Sequence, residues 1–511
     1  MQEKSQLLMS FFNKLDKMVS LKIMNFVFFI IVTGVYVILF ILVSANLRSA
    51  HLLWFDEAGQ FWISKGLNHY SDPLQTPQGV SDVIENNINY NLDPGGFSIL
   101  LYIWTKASNS FLWLRLLPFL FFTGTIVAFI YLSYKWTKNL KIGLLMGFLP
   151  FLFPSIVSMG IEIRAYSMEY LGVVLAIISI ESLKDKASNF RFFIFGSLLS
   201  IFMASRYSII IVIFTTSLCM VSLIWIAYKR PQDKALALFL YAFPILITIS
   251  FIYLFTLSHQ NPELSKLFYL PYLIDDWRLL YKPNENFYYL LFILFLVFIL
   301  ILSLGRKSII SKYQTLLFVA VMSNLLFIAL SFMGKYPWMP TASKGLPYFM
   351  TTLLCFSFIL GEILLYYLKK PNSMKYVSLL FVVLASLYIF TNSPSLESKN
   401  QKFILCLENI DYKNTSNIYV DRWNNPVVRY LFEYGILKPL QVDNYPEKFT
   451  FQNLRNFRQL GISLDEWYQS QPKMNDLLEY DVLITSELYN HGENDKWILL
   501  NGCETGVYVK K

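Results

Sequence analysis

The sequence predicts a polytopic α-helical membrane protein of about eleven spans, followed by a soluble α/β region. Three observations predict it. Hydrophobic residues make up 55% of the 511 residues, above the about 45–50% of a soluble chain. The excess is gathered in blocks of roughly 15–25 residues, the length that crosses a ~30 Å hydrocarbon layer. Lysine and arginine fall in short clusters on every second connection between blocks, the positive-inside pattern. The formal net charge of +9 therefore does not point to a nucleic-acid partner; it belongs to a protein whose surroundings are membrane lipids.

The first apolar run, 23–43, follows Lys4, Lys14, Lys17 and Lys22 and precedes Val43-Ser44-Ala45, which resembles a cleavage site. It exceeds the ~7–15 residues of a signal-peptide core. It reads as a retained span with a cytoplasmic N-terminus. The loop 45–96 then reads as extracytoplasmic. It is rich in Asn, Asp and Pro but carries Trp54, Phe55, Phe61 and Trp62, a mixture suited to short helices in the headgroup layer. After the turn Asp93-Pro94-Gly95-Gly96, the apolar stretch 97–104 is too short to span and reads as a juxtamembrane or re-entrant piece packed on protein.

Further spans are expected at 113–134, 141–158, 165–183, 191–204, 207–228, 235–257, 287–304, 313–332, 347–368 and 376–391. Lys135, Lys138 and Lys141 share one connection, Lys184, Lys186 and Arg191 the next basic one, and Lys229, Arg230 and Lys234 a third. Arg306, Lys307 and Lys312, then Lys369, Lys370 and Lys375, complete the cytoplasmic series. An odd number of spans puts the C-terminal region outside. The multispanning region is thus 1–391, and 392–511 is a soluble extracytoplasmic α/β domain. Its β-type runs are 417–421, 481–485, 497–500 and 507–509. A helix is expected over 426–434, and Ser463-Leu464-Asp465-Glu466 fits a capping box. Cys219 and Cys355 lie in apolar blocks; Cys406 and Cys503 flank the polar region. A disulfide between those two and a pair of unlinked thiols both stay open.

The connections opposite the basic ones hold the residues that suit chemistry. Asp56 and Glu57 lie just past the first span, between aromatics and an apolar helix, where burial raises a carboxylate pKa and a neighbouring cation lowers it. A carboxylate tuned either way serves as a general base. Asp93 sits in a turn that places its carboxylate beside the first loop. In Glu162-Ile163-Arg164-Ala165-Tyr166 a charged pair opens a span; Arg164 reads either as snorkelling with Glu162 or as a forked phosphate ligand. Arg206, in the tight turn Ser205-Arg206-Tyr207, and Lys335 and Lys344, in another outward loop, run against the positive-inside bias. Arg206 suits an anion or a loop carboxylate. Arg115 reads as a structural partner of a first-loop acid, and His259 as a loop residue. Asp275 and Asp276 look like a metal-type pair but more simply form a solvated face. Acids from one loop facing cations from three others suit transfer from a phosphate-linked donor.

Phe55-Asp56-Glu57-Ala58 after the first span, the Pro94-containing stretch, Leu114-Arg115-Leu116-Leu117-Pro118, Glu162-Ile163-Arg164-Ala165-Tyr166 and the Lys344-to-Pro347 loop together resemble the GT-C integral-membrane glycosyltransferases. The likeness is to the family 39-like group of protein O-mannosyltransferases and aminoarabinose transferases. It covers the N-terminal third, and the remainder by topology alone. It implies a GT-C-like fold, an undecaprenyl- or dolichyl-phosphate sugar as donor, a lipid, glycan or protein acceptor, and an inverting reaction. It further implies Asp56 as base or acceptor-positioning carboxylate, with Glu57 beside it. Arg164, Arg206 and Lys344 would bind donor phosphate, while Asp93, Glu162, Tyr166 and Lys335 would position substrate. A divalent ion near Asp56, Glu57 or Asp93 stays open. One departure is Asp93-Pro94-Gly95, where the group commonly has His or Lys before Pro-Pro.

Two other function classes compete. A transporter or flippase of lipid-linked sugars keeps polar residues at mid-membrane and often shows internal repeats; here the ionisable residues gather at one face and no repeat is visible. A lipid-linked glycan polymerase or ligase would share the cationic loops without needing the acidic pair.

Overall fold

The structure is a computed structural model. It describes residues 53–67, 79–91, 93–152, 154–185, 187–260, 313–335, 403–421, 424–435, 437–440, 447–452, 477–485, 497–500 and 507–510, with isolated positions at 30, 33, 34, 37, 351, 353, 355 and 442. The expected spans 23–43, 287–304, 347–368 and 376–391, Asp275, Asp276, Lys344, the Ser463 capping box and Cys503 lie outside the described residues.

The first loop folds into short helices, as its amphipathic aromatics predict. Helix α1 is Phe55–Ser64, α2 is Val80–Tyr90 and α3 is Gly96–Thr105. Then come α4, Phe111–Thr137, α5, Leu140–Met146, a 3-10 turn at Leu149–Leu152, α6, Pro154–Ile161, α7, Tyr166–Asp185, and α8, Asn189–Met203. Helix α9 is Tyr207–Ala227, α10 is Pro231–Ile252 with a π turn at Tyr253–Leu257, and α11 is Gln314–Phe332.

Among the described residues five helices are long and apolar enough to cross a membrane: α4, α7, α9, α10 with its π turn, and α11. Two expected spans differ. The segment 141–158 is not one helix but α5, the 3-10 turn and α6. Pro150 and Pro154 lack the N–H that would continue an α-helix, and Pro154 opens α6 as a first-turn proline does. Helix α8 has 15 residues, about 22 Å at 1.5 Å per residue, which falls short of the hydrocarbon thickness.

Glycines set the closest approaches. A side chain at Gly196 of α8 would collide with the Tyr241 carbonyl of α10. Gly95 adopts φ +95°, the left-handed region glycine enters freely. Gly96 donates its N–H to the Ala204 carbonyl at 2.9 Å, and a Cβ there would lie 2.6 Å from the Ala204 Cβ. The Asp93 turn is thereby pressed against the connection that carries Arg206.

The two ends of the bundle carry different chemistry. At one end Lys135 bridges Asp185 at 2.8 Å, Lys184 bridges Glu181 at 2.7 Å, and Arg191 reaches the Ser182 carbonyl. The N-termini of α4, α7 and α9 lie at the other end with α1 and the Asp93 turn, joined by the contacts described below.

The described C-terminal residues form a five-stranded mixed sheet in the order β2-β1-β3-β5-β4. The strands are β1 Ile418–Val420, β2 Phe449–Phe451, β3 Val482–Ile484, β4 Trp497–Leu499 and β5 Val507–Lys510. Strand β1 pairs parallel with β2 and β3; β5 pairs antiparallel with β3 and β4. Strands β1, β3, β4 and β5 lie where β-type runs were expected, and β2 was not foreseen. Helix α12, Asn425–Glu433, fills the place of the expected helix at 426–434. It packs on α1: the Trp62 indole donates to the Pro426 carbonyl at 3.0 Å, and Phe61 meets Tyr430 and Tyr434 edge to face. Phe61 and Trp62 are fully buried, each worth about 1.5–3 kcal/mol by area. Cys219 and Cys355 are free, whereas Cys406 is disulfide-bonded.

Candidate functional site

Helix α1 places Asp56 and Glu57 in its first turn, where the helix dipole favours carboxylates. Successive helical residues point about 100° apart, so the two neighbours enter different surroundings. Glu57 turns inward and is 1% exposed. One of its oxygens receives Arg115 at 2.6 Å and the Trp54 N–H at 3.3 Å; the other receives the Ile163 N–H at 3.0 Å. It caps its own helix and ties α1 to α4 and to the connection before α7. Asp56 turns outward. Its carboxylate is 34% exposed and lies 3.6 Å from Arg164.

Glu162 stands between these groups. Its carboxyl is pushed up to about 8, first by burial and next by the charge on Glu57; Arg164 opposes the rise and Asp56 adds to it. The Glu162 Oε1 and the Arg164 Nε are both buried without a hydrogen-bond partner. Burial works against the Arg164 charge, but Tyr166, Asp56, Asp93 and Glu162 together hold the guanidinium firmly protonated.

A second cluster adjoins the first. Arg206 bridges Asp93 at 3.2 Å and Glu169 at 3.4 Å. Glu169 is fully buried in the first turn of α7 and also accepts from the Ser208 hydroxyl. The Arg206 guanidinium lies 4.3 Å from the centre of the Tyr166 ring, and Arg164 lies 5.9 Å from the same ring, so both cations lie against one phenol.

Buried amides fix the Asp93 turn. Asn87 donates to the Asp93 carbonyl at 2.7 Å and Gln260 donates to it at 2.9 Å. Ser98 and Asn91 both donate to the Asn87 amide oxygen, and Gln60 of α1 joins the same network through Ser98 and Asn91. Helices α1, α2 and α3 are thus one hydrogen-bonded unit, which rigidifies the site.

The structure brings together Asp56, Glu57, Asp93, Glu162, Arg164, Tyr166 and Arg206. Lys335 lies just beyond the end of α11 and is exposed; among the described residues it pairs with none of these carboxylates. Asp56, Glu57 and Asp93 do not make a single donor set. Arg115 and two backbone N–H groups occupy Glu57, and Arg206 occupies Asp93. Among the described residues no three His, Cys, Asp or Glu side chains are grouped as metal ligands.

Sequence reasoning missed Glu169, Ser208 and the amide network. Glu169 carried a usable signal: a carboxylate inside an apolar span is costly unless paired. The amides carried none, since Asn and Gln are ordinary loop residues. Arg115 was read as the structural partner of a first-loop acid, and it is paired with Glu57. No protein-family model matches the chain, and comparison with curated proteins finds no match.

Proposed function

We propose that the protein is a membrane glycosyltransferase that moves a sugar from a polyprenyl-phosphate donor to an acceptor hydroxyl or phosphate on the extracytoplasmic face. One observation carries the reading. Asp56 is partly open to solvent beside Arg164, a guanidinium with a buried, unsatisfied Nε, at the membrane end that lacks the basic cluster. For a hydroxyl acceptor, Asp56 takes the proton, the freed oxygen bonds to the anomeric carbon, and the bond from that carbon to the phosphate oxygen breaks. The departing polyprenyl phosphate gains negative charge at its bridging oxygen, and Arg164 answers that charge. Arg206, already balanced by Asp93 and Glu169, holds the donor side in place through Tyr166. Glu57 holds α1 and so aims Asp56.

Orientation follows from charge and redox. Lys135, Lys184 and Arg191 at the far end suit the cytoplasm. The disulfide at Cys406 suits an oxidising compartment, so the sheet-bearing region sits outside, against α1, and the N-terminus inside. An inner or plasma membrane of a cell that builds envelope glycans, lipopolysaccharide or glycoproteins supplies both substrates. The total of about eleven spans is the count of apolar runs in the sequence, with the broken segment 141–158 and the short α8 included.

The test replaces the chromosomal copy with Asp56→Asn. Transfer in isolated membranes is expected to fall by about 10²–10⁴, the usual worth of a general base, with protein levels unchanged. The lipid-linked sugar should accumulate as it does when the protein is deleted. Wild-type transfer by Asp56→Asn membranes rejects Asp56 as the base.

A further inference from the structure

The sheet carries a polar edge that the site above does not use. Strand β1 is central to its parallel part, with β2 on one side and β3 on the other. The chain leaves β1 through α12 and returns beside it as β2; β3 then takes the other side of β1. The strand order therefore reverses between β1 and β3. In open α/β sheets ligands bind at such a reversal, in the crevice beyond the carboxyl ends of the strands.

Three side chains stand at that edge. Val420 pairs with Phe451 of β2 and with Ile484 of β3, so Gln452, Asp421 and Thr485 come next in line, about 4.8 Å from strand to strand. The ladder reaches them: the Asp421 N–H donates to the Ile484 carbonyl at 2.9 Å, and the Gln452 N–H to the Val420 carbonyl at 2.8 Å. Side chains alternate along a strand. Val420, Phe451 and Ile484 pack in the core that holds α12, which leaves Asp421, Gln452 and Thr485 on the opposite face, with Tyr419 and Leu483.

Asp421 braces α12. One of its oxygens accepts the Asn424 N–H and the Asn424 side-chain amide, each at 2.9 Å. The Asn425 amide donates to the Gln452 carbonyl at 3.1 Å. Thr485 differs from both. It is 1% exposed, and its hydroxyl is buried without a hydrogen-bond partner. A buried hydroxyl left unpaired destabilises the chain that carries it. A ligand lying across the ends of β1 and β3 would pair it.

The groups present select the chemistry of that ligand. A helix N-terminus draws anions, but the Asp421 carboxylate already lies at the start of α12, and Pro426 in its first turn has no N–H to offer. No glycine occurs in 421–426 to admit a phosphate closely. A carboxylate, an amide and a hydroxyl pair instead with neutral hydroxyls. Tyr419 lies on the same face and its ring meets that of Tyr480 at 5.3 Å, an aromatic floor beneath a few polar groups. On the β2 side Thr450 is exposed and Gln452 half-buried, so the edge opens to solvent there.

We propose that the carboxyl edge of β2-β1-β3 binds a sugar through its hydroxyls, with Asp421, Gln452 and Thr485 as the contacting residues. The site lies on the sheet, apart from Asp56, and stands or falls independently of sugar transfer.

The test uses the full-length protein in lauryldimethylamine oxide, a detergent that carries no sugar. Saturation-transfer-difference NMR follows the methyl glycosides of mannose, galactose, arabinose and N-acetylglucosamine on the wild type, Thr485→Val, Thr485→Ser and Asp56→Asn. Melting temperatures are read on the same samples, with inorganic phosphate as the anion probe. Thr485→Val keeps the side-chain shape and drops the hydroxyl. It is expected to melt at or above the wild type, because an unpaired polar group is replaced by a methyl. It should nevertheless bind the responding glycoside about fivefold more weakly, the worth of one hydrogen bond. Thr485→Ser and Asp56→Asn should bind as the wild type does. A lowered melting temperature in Thr485→Val would show the hydroxyl to be paired within the protein and overturns the proposal. So does the absence of glycoside binding, binding that Thr485→Val leaves unchanged, or a response to phosphate alone. A signal lost in Asp56→Asn but kept in Thr485→Val places the sugar beside Arg164 and overturns it as well.

Discussion

The ion pair of Glu57 with Arg115 measures 2.6 Å and is closed to solvent, whereas that of Asp56 with Arg164 measures 3.6 Å and leaves a third of the carboxylate exposed. The same dipeptide supplies both acids. The inner pair is saturated: Glu57 accepts from one guanidinium and two backbone N–H groups. The outer pair is unsaturated on both sides, with the Arg164 Nε buried and unsatisfied. A saturated buried pair resists change because removing one partner strands the other's charge. An unsaturated, partly open pair can exchange partners with a substrate at little cost. Adjacent residues of the same charge thus divide into a strut and a reactive group, and the division is set by which side of α1 each one occupies.

The sharpest way to break this comparison is to remove each carboxylate in turn. Glu57→Ala leaves Arg115 buried without its partner and frees two N–H groups. It is expected to cost about 3–5 kcal/mol, seen as loss of folded protein in size-exclusion chromatography and a lower melting temperature. Asp56→Asn should stay within about 0.5 kcal/mol of the wild type while losing transfer. Equal destabilisation by the two variants would show that both acids are struts.

Gly96→Ala tests whether the two clusters share one frame. The added methyl meets Ala204 and pushes the Asp93 turn away from Arg206. Overpacking of this kind costs about 1–3 kcal/mol. The expected signature is a melting temperature lowered together with weakened donor binding, since Arg206 and Arg164 both lie against the Tyr166 ring. A loss of stability with intact donor binding would uncouple the clusters.

Trp62→Phe probes the contact of α1 with the sheet-bearing region. It deletes the hydrogen bond to the Pro426 carbonyl and keeps most of the buried ring. A loss of about 0.5–1.5 kcal/mol is expected, read by differential scanning fluorimetry. Faster hydrogen exchange across α12 but not across α7 would place that loss at this contact.

How much of this was legible in the sequence follows from the range of each signal. Long apolar runs are local and strongly patterned, so α4, α7, α9, α10 and α11 fall close to their expected places. Segment 141–158 failed because hydropathy counts residues and ignores the prolines that interrupt hydrogen bonding. Strand β2 was missed because Phe449-Thr450-Phe451 is too short to show a period. At the site, Asp56 and Glu57 were marked by their place just past the first span among aromatics, Glu162 and Arg164 by a charged pair opening a span, and Arg206 by running against the positive-inside bias. Which acid meets which arginine was not legible, because the pairs join residues far apart in the chain and depend on the rotation of α1. Glu57 is the clearest instance: the chain offers it as an equal of Asp56, and only the direction of one helix turn sends it into the interior.

A last prediction separates Glu162 from both of its neighbours. Its carboxyl titrates near 8 against an ordinary value of 4.5, with burial the main cause and Glu57 the next. A raised value in the folded state means that the folded protein holds this proton more tightly than the unfolded chain. The resulting contribution to stability is whole below 4.5 and declines as pH rises from 4.5 towards 8. At neutral pH the group is mostly neutral and leaves Arg164 with Asp56 as its nearest counter-charge. Above 8 it ionises, adds a second negative charge beside Arg164, and competes with an incoming phosphate. Donor binding by the wild type is therefore expected to weaken between pH 7 and 9, by a factor of about three to ten for a charge change next to a partly screened site. Glu162→Gln holds the neutral form at every pH. It should flatten both this decline and the stability loss between 4.5 and 8, with donor affinity at pH 7 close to that of the wild type. A Glu162→Gln profile that still falls above pH 8 would move the titration to another group and leave Glu162 with a packing role.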